Sequence, residues 1–160
     1  MKEAKKDHHV HEEKTYPAHE PSTGYVSEPS IGYVREPSTG YLISASREGI
    51  PFRNFTKMTE NSPFSLDDWS VFLHLSERTI QRYKKEDKRF DPIYSEKILE
   101  ITMLYNRGSE VFGNNKKFDI WLNSKSIALG GIKPMDLLDS TFGIGMINNE
   151  LTRIEHGVLA

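Results

Sequence analysis

The amino-acid sequence predicts an all-α protein with a low-complexity tail at its N-terminus. From Ile43 onward, apolar residues recur at intervals of three and four, and no stretch alternates apolar and polar residues as a half-buried strand does. Ser65, followed three residues later by Asp68, is the capping-box pattern that begins helices. Apolar residues make up 36% of the chain and charged residues 28%, which suffices for one core but leaves part of the chain unpacked.

Composition narrows the class of protein further. The chain has no cysteine, which excludes disulfides, thiolate zinc sites and cysteine nucleophiles and fits a reducing cytoplasm. The opening MKEAKKDHHVHEEK has no apolar run, so we predict no secretion signal. No stretch approaches the ~18 to 20 apolar residues of a membrane span. We therefore predict a cytoplasmic protein that does not contact a membrane, and the net charge of −2 indicates no particular partner.

Residues 1–42 form a separate region that carries an eight-residue repeat: EPSTGYVS, EPSIGYVR and EPSTGYLI. Proline and glycine in every copy oppose helix formation, which predicts a disordered tail. The alternative is a set of docking motifs whose Gly-Tyr-Val pieces add as strands to the sheet edge of a partner. Four histidines in this tail are predicted to be solvated, because the segment offers no fixed geometry for a metal: His8, His9, His11 and His19.

Helices are predicted in order along the rest of the chain. A short helix covers Phe52 to Met58, a second follows Ser65, and a third begins at Ser76. A long helix runs from about Pro92 to Phe112. Its apolar stripe consists of Tyr94, Ile98, Ile101, Tyr105 and Phe112.

The C-terminal part follows the break at GNNKK. It is predicted to contain a helix with Trp121 and Leu122, a turn at Gly130-Gly131, a short helix at 134–138 and a last helix over 144–156. The Gly143-x-Gly145 pair is interpreted as a turn or helix end. We predict three regions: a tail over 1–42, a helix-turn-helix domain over 43–113 that binds DNA and dimerises, and a C-terminal domain over 114–160.

The third helix has one basic side. On a helical wheel of ~100° per residue, four polar side chains share one face and two anchors, Ile80 and Tyr83, lie opposite. The polar face consists of Arg78, Gln81, Arg82 and Lys85. From Arg78 to Arg89 the segment has six basic residues and two acidic ones. Ser76 is its predicted N-cap, so the N–H groups of the first turn can also face a phosphate.

A tight connection at Leu75-Ser76 joins this helix to the apolar helix before it, which is the helix-turn-helix plan. In that plan the second helix enters the major groove, where Arg and Gln read guanine and adenine edges. The predicted phosphate contacts are Lys84, Lys85, Lys88 and Arg89. The alternative is a solvated charged face on a surface helix.

Catalytic patterns are weak. Outside the tail the only histidines are His74 and His156, and no glycine-rich loop has the spacing of a phosphate-binding motif. We predict that the chain is not an enzyme and has no cofactor and no metal site.

The last helix has an apolar stripe of Ile147, Leu151, Ile154 and Val158. Gly157 is the predicted helix stop, and residues 158–160 project beyond it. This apolar tip either folds back on the core or inserts into the cleft of a partner. In the second case Arg153, Glu155 and His156 supply polar contacts at the mouth of that cleft.

Two blocks of sequence resemble the Xre/MbcA/ParS-type antitoxins of bacterial type II toxin–antitoxin systems. The first is FSLDDWSVFLHLSERTIQRYKK, which is similar to the helix-turn-helix of the family. The second runs from Val111 to the final residue and contains the pattern WL…ALGG…P…LL…G, followed by L.RIEHGV.A. The resemblance covers about residues 43–160 and does not include the repeats.

The resemblance implies an antitoxin that neutralises a RES-domain toxin, which attacks NAD or uses it for ADP-ribosylation, and that places its C-terminal segment at the active site of that toxin. It also implies repression of the operon by a homodimer within a toxin–antitoxin complex. The matching DNA-reading positions are Ser76, Arg78, Thr79, Gln81 and Arg82. The matching toxin-facing positions are Arg153, Glu155, His156, Gly157 and Val158, with Leu159 and Ala160 beyond them. Five further positions shape the domain: Trp121, Leu129, Gly130, Gly131 and Pro134.

Three functions fit the sequence. The first is an antitoxin that also represses its operon. The second is a stand-alone helix-turn-helix regulator whose C-terminal domain only dimerises. The third is a toxin inhibitor whose helix-turn-helix is a scaffold without affinity for DNA. A neighbouring RES-type reading frame favours the first and third, and a palindromic operator favours the first and second.

Overall fold

The computed structural model describes residues 38–157. The predictions for residues 1–37, including the first two repeats and the four tail histidines, lie outside the described residues. So does the predicted apolar tip at residues 158–160.

The described part of the chain is helical, as the sequence predicts, and residues pair as strands do only at two isolated bridges, Pro51 with Arg89 and Ser126 with Ile132. The α-helices are α1 (Thr39–Glu48), α2 (Phe52–Thr59), α3 (Leu66–Phe72), α4 (Glu77–Glu86), α5 (Pro92–Phe112), α6 (Asn115–Leu122) and α7 (Thr141–Glu155). Two 3-10 helices, Ile127–Leu129 and Pro134–Leu137, lie between α6 and α7. The second of these stands where the sequence predicts a short helix.

Local capping signals begin the helices where the sequence predicts. The Ser65 hydroxyl accepts a hydrogen bond from the Asp68 N–H at 3.1 Å, and the Asp68 carboxylate accepts one from the Ser65 N–H at 2.8 Å. This completes the predicted capping box of α3. α5 has the predicted bounds, with a proline in its first turn and Gly113 in the left-handed conformation after it.

Helix α1 begins inside the third repeat, where the sequence predicts no helix. The predicted boundary between residues 42 and 43 therefore falls within a helix. The Ser38 hydroxyl accepts a hydrogen bond from the Tyr41 N–H, and Leu42 and Ala45 pack against the core. Glycine in a helix costs about 1 kcal/mol relative to alanine. Burial of these two side chains offsets that local cost.

Helix α7 begins three residues earlier than predicted, because Ser140 caps it by accepting a hydrogen bond from the Gly143 N–H at 3.0 Å. The interpretation of Gly143-x-Gly145 as a turn or helix end is wrong, since both residues lie within α7. A Cβ atom on Gly143 would lie 2.1 Å from the carbonyl oxygen of Leu137. Gly143 thus permits a close approach of two backbone segments.

Helix α5 is the centre of the fold, and α1, α2, α6 and α7 all pack against it. Aromatic side chains connect the two ends of the core. The ring of Phe64 lies 5.5 Å from that of Tyr105, which lies 5.5 Å from that of Phe118. The helix-turn-helix segment and the C-terminal segment therefore share one hydrophobic core rather than having two.

Candidate functional sites

Helices α3 and α4 are joined by a turn over residues 73–76. Leu73 is buried, and His74 takes the left-handed conformation with φ of 51°. Ser76 then caps α4 by accepting a hydrogen bond from the Thr79 N–H at 3.1 Å. The sequence predicts the cap and the tight turn, and the left-handed histidine has no sequence signal.

Helix α4 has the two faces that the helical wheel predicts. Ile80 and Tyr83 are 0% and 3% exposed and anchor the helix to the core. Lys84, at the side of the helix, is exposed. The side chains on the opposite face are exposed as well, and neither they nor Lys84 form an ion pair within residues 38–157: Arg78, Gln81, Arg82 and Lys85. Two other predicted site residues, Ser76 and Thr79, have their hydroxyl oxygens 2.8 Å apart. They fix the start of the helix rather than project from it.

The acidic residue at the end of α4 is engaged within the protein. Asp87 accepts hydrogen bonds from the Arg53 N–H at 2.8 Å and from the Arg53 guanidinium at 2.7 Å. Arg89, a predicted phosphate contact, donates to the carbonyl oxygen of Gly49 at 2.8 Å. The ammonium group of Lys88 lies 4.8 Å from the centre of the Tyr83 ring. Lys88 and Arg89 thus contribute to the fold of the turn after α4.

Helix α7 packs on the core through its predicted stripe. Ile147 and Leu151 are fully buried, whereas Ile154 is only half-buried. Gly157 has φ of 66° and donates its N–H to the carbonyl oxygen of Ile154 at 3.1 Å, which ends the helix. His156 and Gly157 are exposed at this end.

The predicted contact residues of α7 differ in their surroundings. Arg153 is exposed and lies 3.7 Å from the Glu150 carboxylate. Glu155 is paired within the protein, since its carboxylate accepts a hydrogen bond from Arg107 of α5 at 3.1 Å. Arg107 was missed by the sequence analysis because its role depends on which helix packs beside α5. The nearest sequence signal is the polar row Asn148, Thr152 and Glu155 beside the apolar stripe.

Two contacts join the turn of the helix-turn-helix to the segment before α7. The imidazole Nε2 of His74 and the ammonium group of Lys97 both contact the carbonyl oxygen of Asp139. Burial lowers the pKa of Lys97, against the opposing charges of Asp139 and Glu100. On the next turn of α5, burial and then the neighbouring Glu96 raise the pKa of Glu100.

The interior of the C-terminal part contains one further polar pair. The Tyr105 hydroxyl donates a hydrogen bond to the Asp119 carboxylate at 2.8 Å. Burial, together with this bond, raises the pKa of Tyr105 well above its ordinary value.

Within residues 38–157, no helix has the length and apolar content needed to cross a membrane. The same residues contain no group of three or more histidine and carboxylate side chains placed to hold a metal.

The fold and the exposed basic face of α4 place the chain in the class of helix-turn-helix proteins. Residues 42–102 match the family model described as the antitoxin Xre-like helix-turn-helix domain. Residues 107–157 match the one described as the antitoxin Xre/MbcA/ParS C-terminal toxin-binding domain. The chain belongs to the Xre/MbcA/ParS antitoxin family, which confirms the resemblance seen in its sequence.

The chain is also similar to a protein that is named as an antitoxin. The chain is 30% identical over 84 residues to the protein named Antitoxin Xre from Yersinia enterocolitica serotype O:8 / biotype 1B. The aligned segment covers 52% of this chain and 57% of that relative. The gap between the two family matches lies within α5, since the first match ends at residue 102 and the second begins at residue 107.

Proposed function

We propose that the chain is the antitoxin of a type II toxin–antitoxin pair and has no enzymatic activity of its own. It binds its toxin through the C-terminal domain, and it represses its own operon through α4. The observation that carries this proposal is the joining of two surfaces on one hydrophobic core. One is an exposed basic helix face, and the other is the end of α7 in a domain that matches a toxin-binding family.

The proposed DNA contacts follow from the geometry of α4. Arg78, Gln81 and Arg82 are exposed on the face opposite the buried Ile80 and Tyr83, so the helix can enter a major groove with its anchors still packed. Lys84 and Lys85 are proposed to contact phosphates. Two copies of α4 about 34 Å apart would read the two halves of a palindromic operator. We therefore propose that the chain binds DNA as a homodimer, in the cytoplasm.

The proposed toxin contacts lie at the end of α7. Arg153, His156 and Gly157 are exposed there, and Gly157 ends the helix before residues 158–160. An apolar tip with a polar base suits an apolar cleft that has a polar rim. We propose that the partner is a RES-domain toxin that consumes NAD, and that the tip blocks its active site.

The test is co-expression with the product of the neighbouring reading frame, scored by growth and by cellular NAD. The truncation should remove residues 158–160 only, because a larger deletion that reached Leu151 would remove a fully buried core residue. We expect the neighbour to be toxic alone, harmless with the full chain and toxic again with the truncated chain. A gel-shift assay should show that the truncated chain still binds the DNA upstream of its gene.

Each outcome has a separate meaning. A harmless neighbour would contradict the antitoxin proposal and favour a stand-alone regulator. Full protection by the truncated chain would contradict the role of the tip. A loss of cellular NAD caused by the toxin supports the RES type, and killing with normal NAD contradicts it.

A further inference from the structure

Among the described residues, Arg107 is the side chain of α5 that hydrogen-bonds to the last two turns of α7, beside the apolar packing of Leu151. The Arg107 guanidinium donates to the Thr152 hydroxyl at 2.8 Å and to the Glu155 carboxylate at 3.1 Å. The other amino group of the fork lies 3.4 Å from both the carbonyl oxygen and the side-chain oxygen of Asn148. The Thr152 hydroxyl in turn donates to the Asn148 carbonyl oxygen at 2.9 Å. The network is therefore closed.

The spacing of the acceptors suits one guanidinium. Residues 148, 152 and 155 follow at intervals of four and three, so they lie one above another on one side of α7. The planar fork of arginine presents several donors in a fixed geometry, which allows a single side chain to bridge both turns. A lysine would offer a point charge without this fork.

Toward the end of α7, where Arg107 forms these hydrogen bonds, the apolar side chains are less buried. Leu151 is fully buried, but Ile154, the next residue of the stripe, is only half-buried. The last turn of a helix frays readily when few apolar contacts hold it. Glu155 is the final residue of α7, and His156 and Gly157 follow directly. The contact between Arg107 and Glu155 thus fixes the direction in which the chain leaves the helix.

We propose that Arg107 is a positioning residue for toxin binding and that Glu155 acts within the chain rather than on the toxin. The inference rests on the proposed antitoxin function. Arg107 holds the end of α7 so that His156 and Gly157 are already oriented when they meet the toxin. An oriented segment loses less conformational freedom on binding, which raises its affinity. The side chains of Arg107 and Glu155 are 36% and 50% exposed, so their ion pair contributes little to global stability.

The test compares Arg107→Gln with Arg53→Gln in the full chain. Arg53 provides a matched control because it forms the other arginine–carboxylate ion pair shorter than 3.5 Å in the described residues, far from α7 in sequence, with Asp87 at 2.7 Å. We expect Arg107→Gln to weaken binding of the toxin by about tenfold. The expected change for Arg53→Gln is below about twofold. Affinity of Arg107→Gln for the DNA upstream of the gene should stay at the wild-type value, which also reports that the variant is folded.

A second background separates positioning from stability. In a chain that lacks residues 158–160, Arg107→Gln should cost little further affinity for the toxin, because the segment that follows the positioned residues His156 and Gly157 is gone. An equal loss in both backgrounds would mean a general structural role and would overturn the inference. Exchange of the two charges, with Arg107→Glu and Glu155→Arg together, should recover part of the affinity. Failure of the exchange to recover any affinity would indicate that Glu155 contacts the toxin and would also overturn the inference.

The wild-type chain distinguishes the two levels of the proposal. If it does not bind the toxin, the antitoxin function fails and this inference fails with it. If the wild-type chain binds and Arg107→Gln binds equally well, only the inference fails.

Discussion

The imidazole Nε2 of His74 lies 2.9 Å from the carbonyl oxygen of Asp139, 65 residues further along the chain. His74 belongs to the turn between α3 and α4, and Asp139 lies one residue before the N-cap of α7. The turn that sets the angle of the basic helix is thus in direct contact with the start of the helix that leads to the C-terminal end. The two surfaces are joined through this contact as well as through the shared core.

Substitution of His74 should separate the side-chain contact from the backbone conformation. His74→Ala loses the contact with the Asp139 carbonyl oxygen but still places a non-glycine residue in the unfavourable left-handed conformation, with φ at 51°. We therefore expect the free energy of unfolding to fall by about 1 kcal/mol. His74→Gly loses the same contact but adopts the left-handed conformation readily, and should be more stable than the alanine variant by about 1 kcal/mol. Urea unfolding measures both values. Equal stability of the two variants would contradict the cost assigned to the backbone.

Replacement of Arg78 and Arg82 by alanine should abolish operator binding and leave toxin binding intact. Each arginine that reads a base contributes about 1 to 3 kcal/mol of discrimination, so the double variant should lose at least about thirtyfold in affinity. The control is the double alanine variant of Lys116 and Lys117, an exposed basic pair on α6. Gel shifts with the DNA upstream of the gene measure the effect. Unchanged shifts for the arginine variant would refute the proposed recognition face.

Lys84→Ala should weaken DNA binding without changing its sequence preference. If Lys84 neutralises one phosphate, the slope of log affinity against log salt should become shallower by about one. The measurement is a salt titration of binding to the operator and to an unrelated duplex. A slope equal to that of the wild type would show that Lys84 does not contact a phosphate.

Two glycines of α7 should respond in opposite ways to alanine. At Gly143 the new Cβ atom would lie 2.1 Å from the Leu137 carbonyl oxygen, so the backbones must separate and we expect a loss of about 2 kcal/mol in the free energy of unfolding. At Gly145 no atom lies within 4 Å of the new Cβ, and the helix should gain about 1 kcal/mol. Thermal and urea unfolding compare the two. A stabilising Gly143→Ala would show that the contact with Leu137 is looser in solution.

Glu100→Gln should stabilise the protein at neutral pH. Burial and Glu96 raise the pKa of Glu100 above its ordinary value, so between that value and the raised one the folded state holds a proton that the unfolded state has lost. Stability from this group is therefore present at low pH and falls as pH rises through this window. Removal of the charge should recover about 0.5 kcal/mol at pH 7. Glu110→Gln, an exposed position on the same helix, is the control, and equal effects at pH 7 would contradict the role of burial.

The sequence predicted those features that depend on neighbouring residues along the chain. The two faces of α4, its cap at Ser76 and the bounds of α5 follow from periodicity and capping, which act within a few residues. Helix α1 was not predicted because packing against the core outweighs the local cost of glycine, whereas the start of α7 was not predicted although its cap, Ser140, is a local signal.

The role of Glu155 depends on a partner that sequence spacing does not reveal. The resemblance to the terminal motif of the family predicts a contact of Glu155 with the toxin, and in the structure its carboxylate accepts a hydrogen bond from Arg107. That pairing exists only because α7 packs beside α5. Such contacts between helices distant in sequence account for most of what the sequence analysis did not find.

The continuity of α5 constrains how such genes can recombine. The two family matches are separated by residues 103–106, in the middle of an unbroken helix. An exchange of domains that added one residue there would rotate Arg107 by about 100° and shift it by about 1.5 Å relative to the helix-turn-helix. An insertion of seven residues would restore the phase to within about 20°, but it would lengthen the helix by roughly 10 Å. We therefore expect natural hybrids of this family to preserve the length of this helix even where both flanking domains are exchanged.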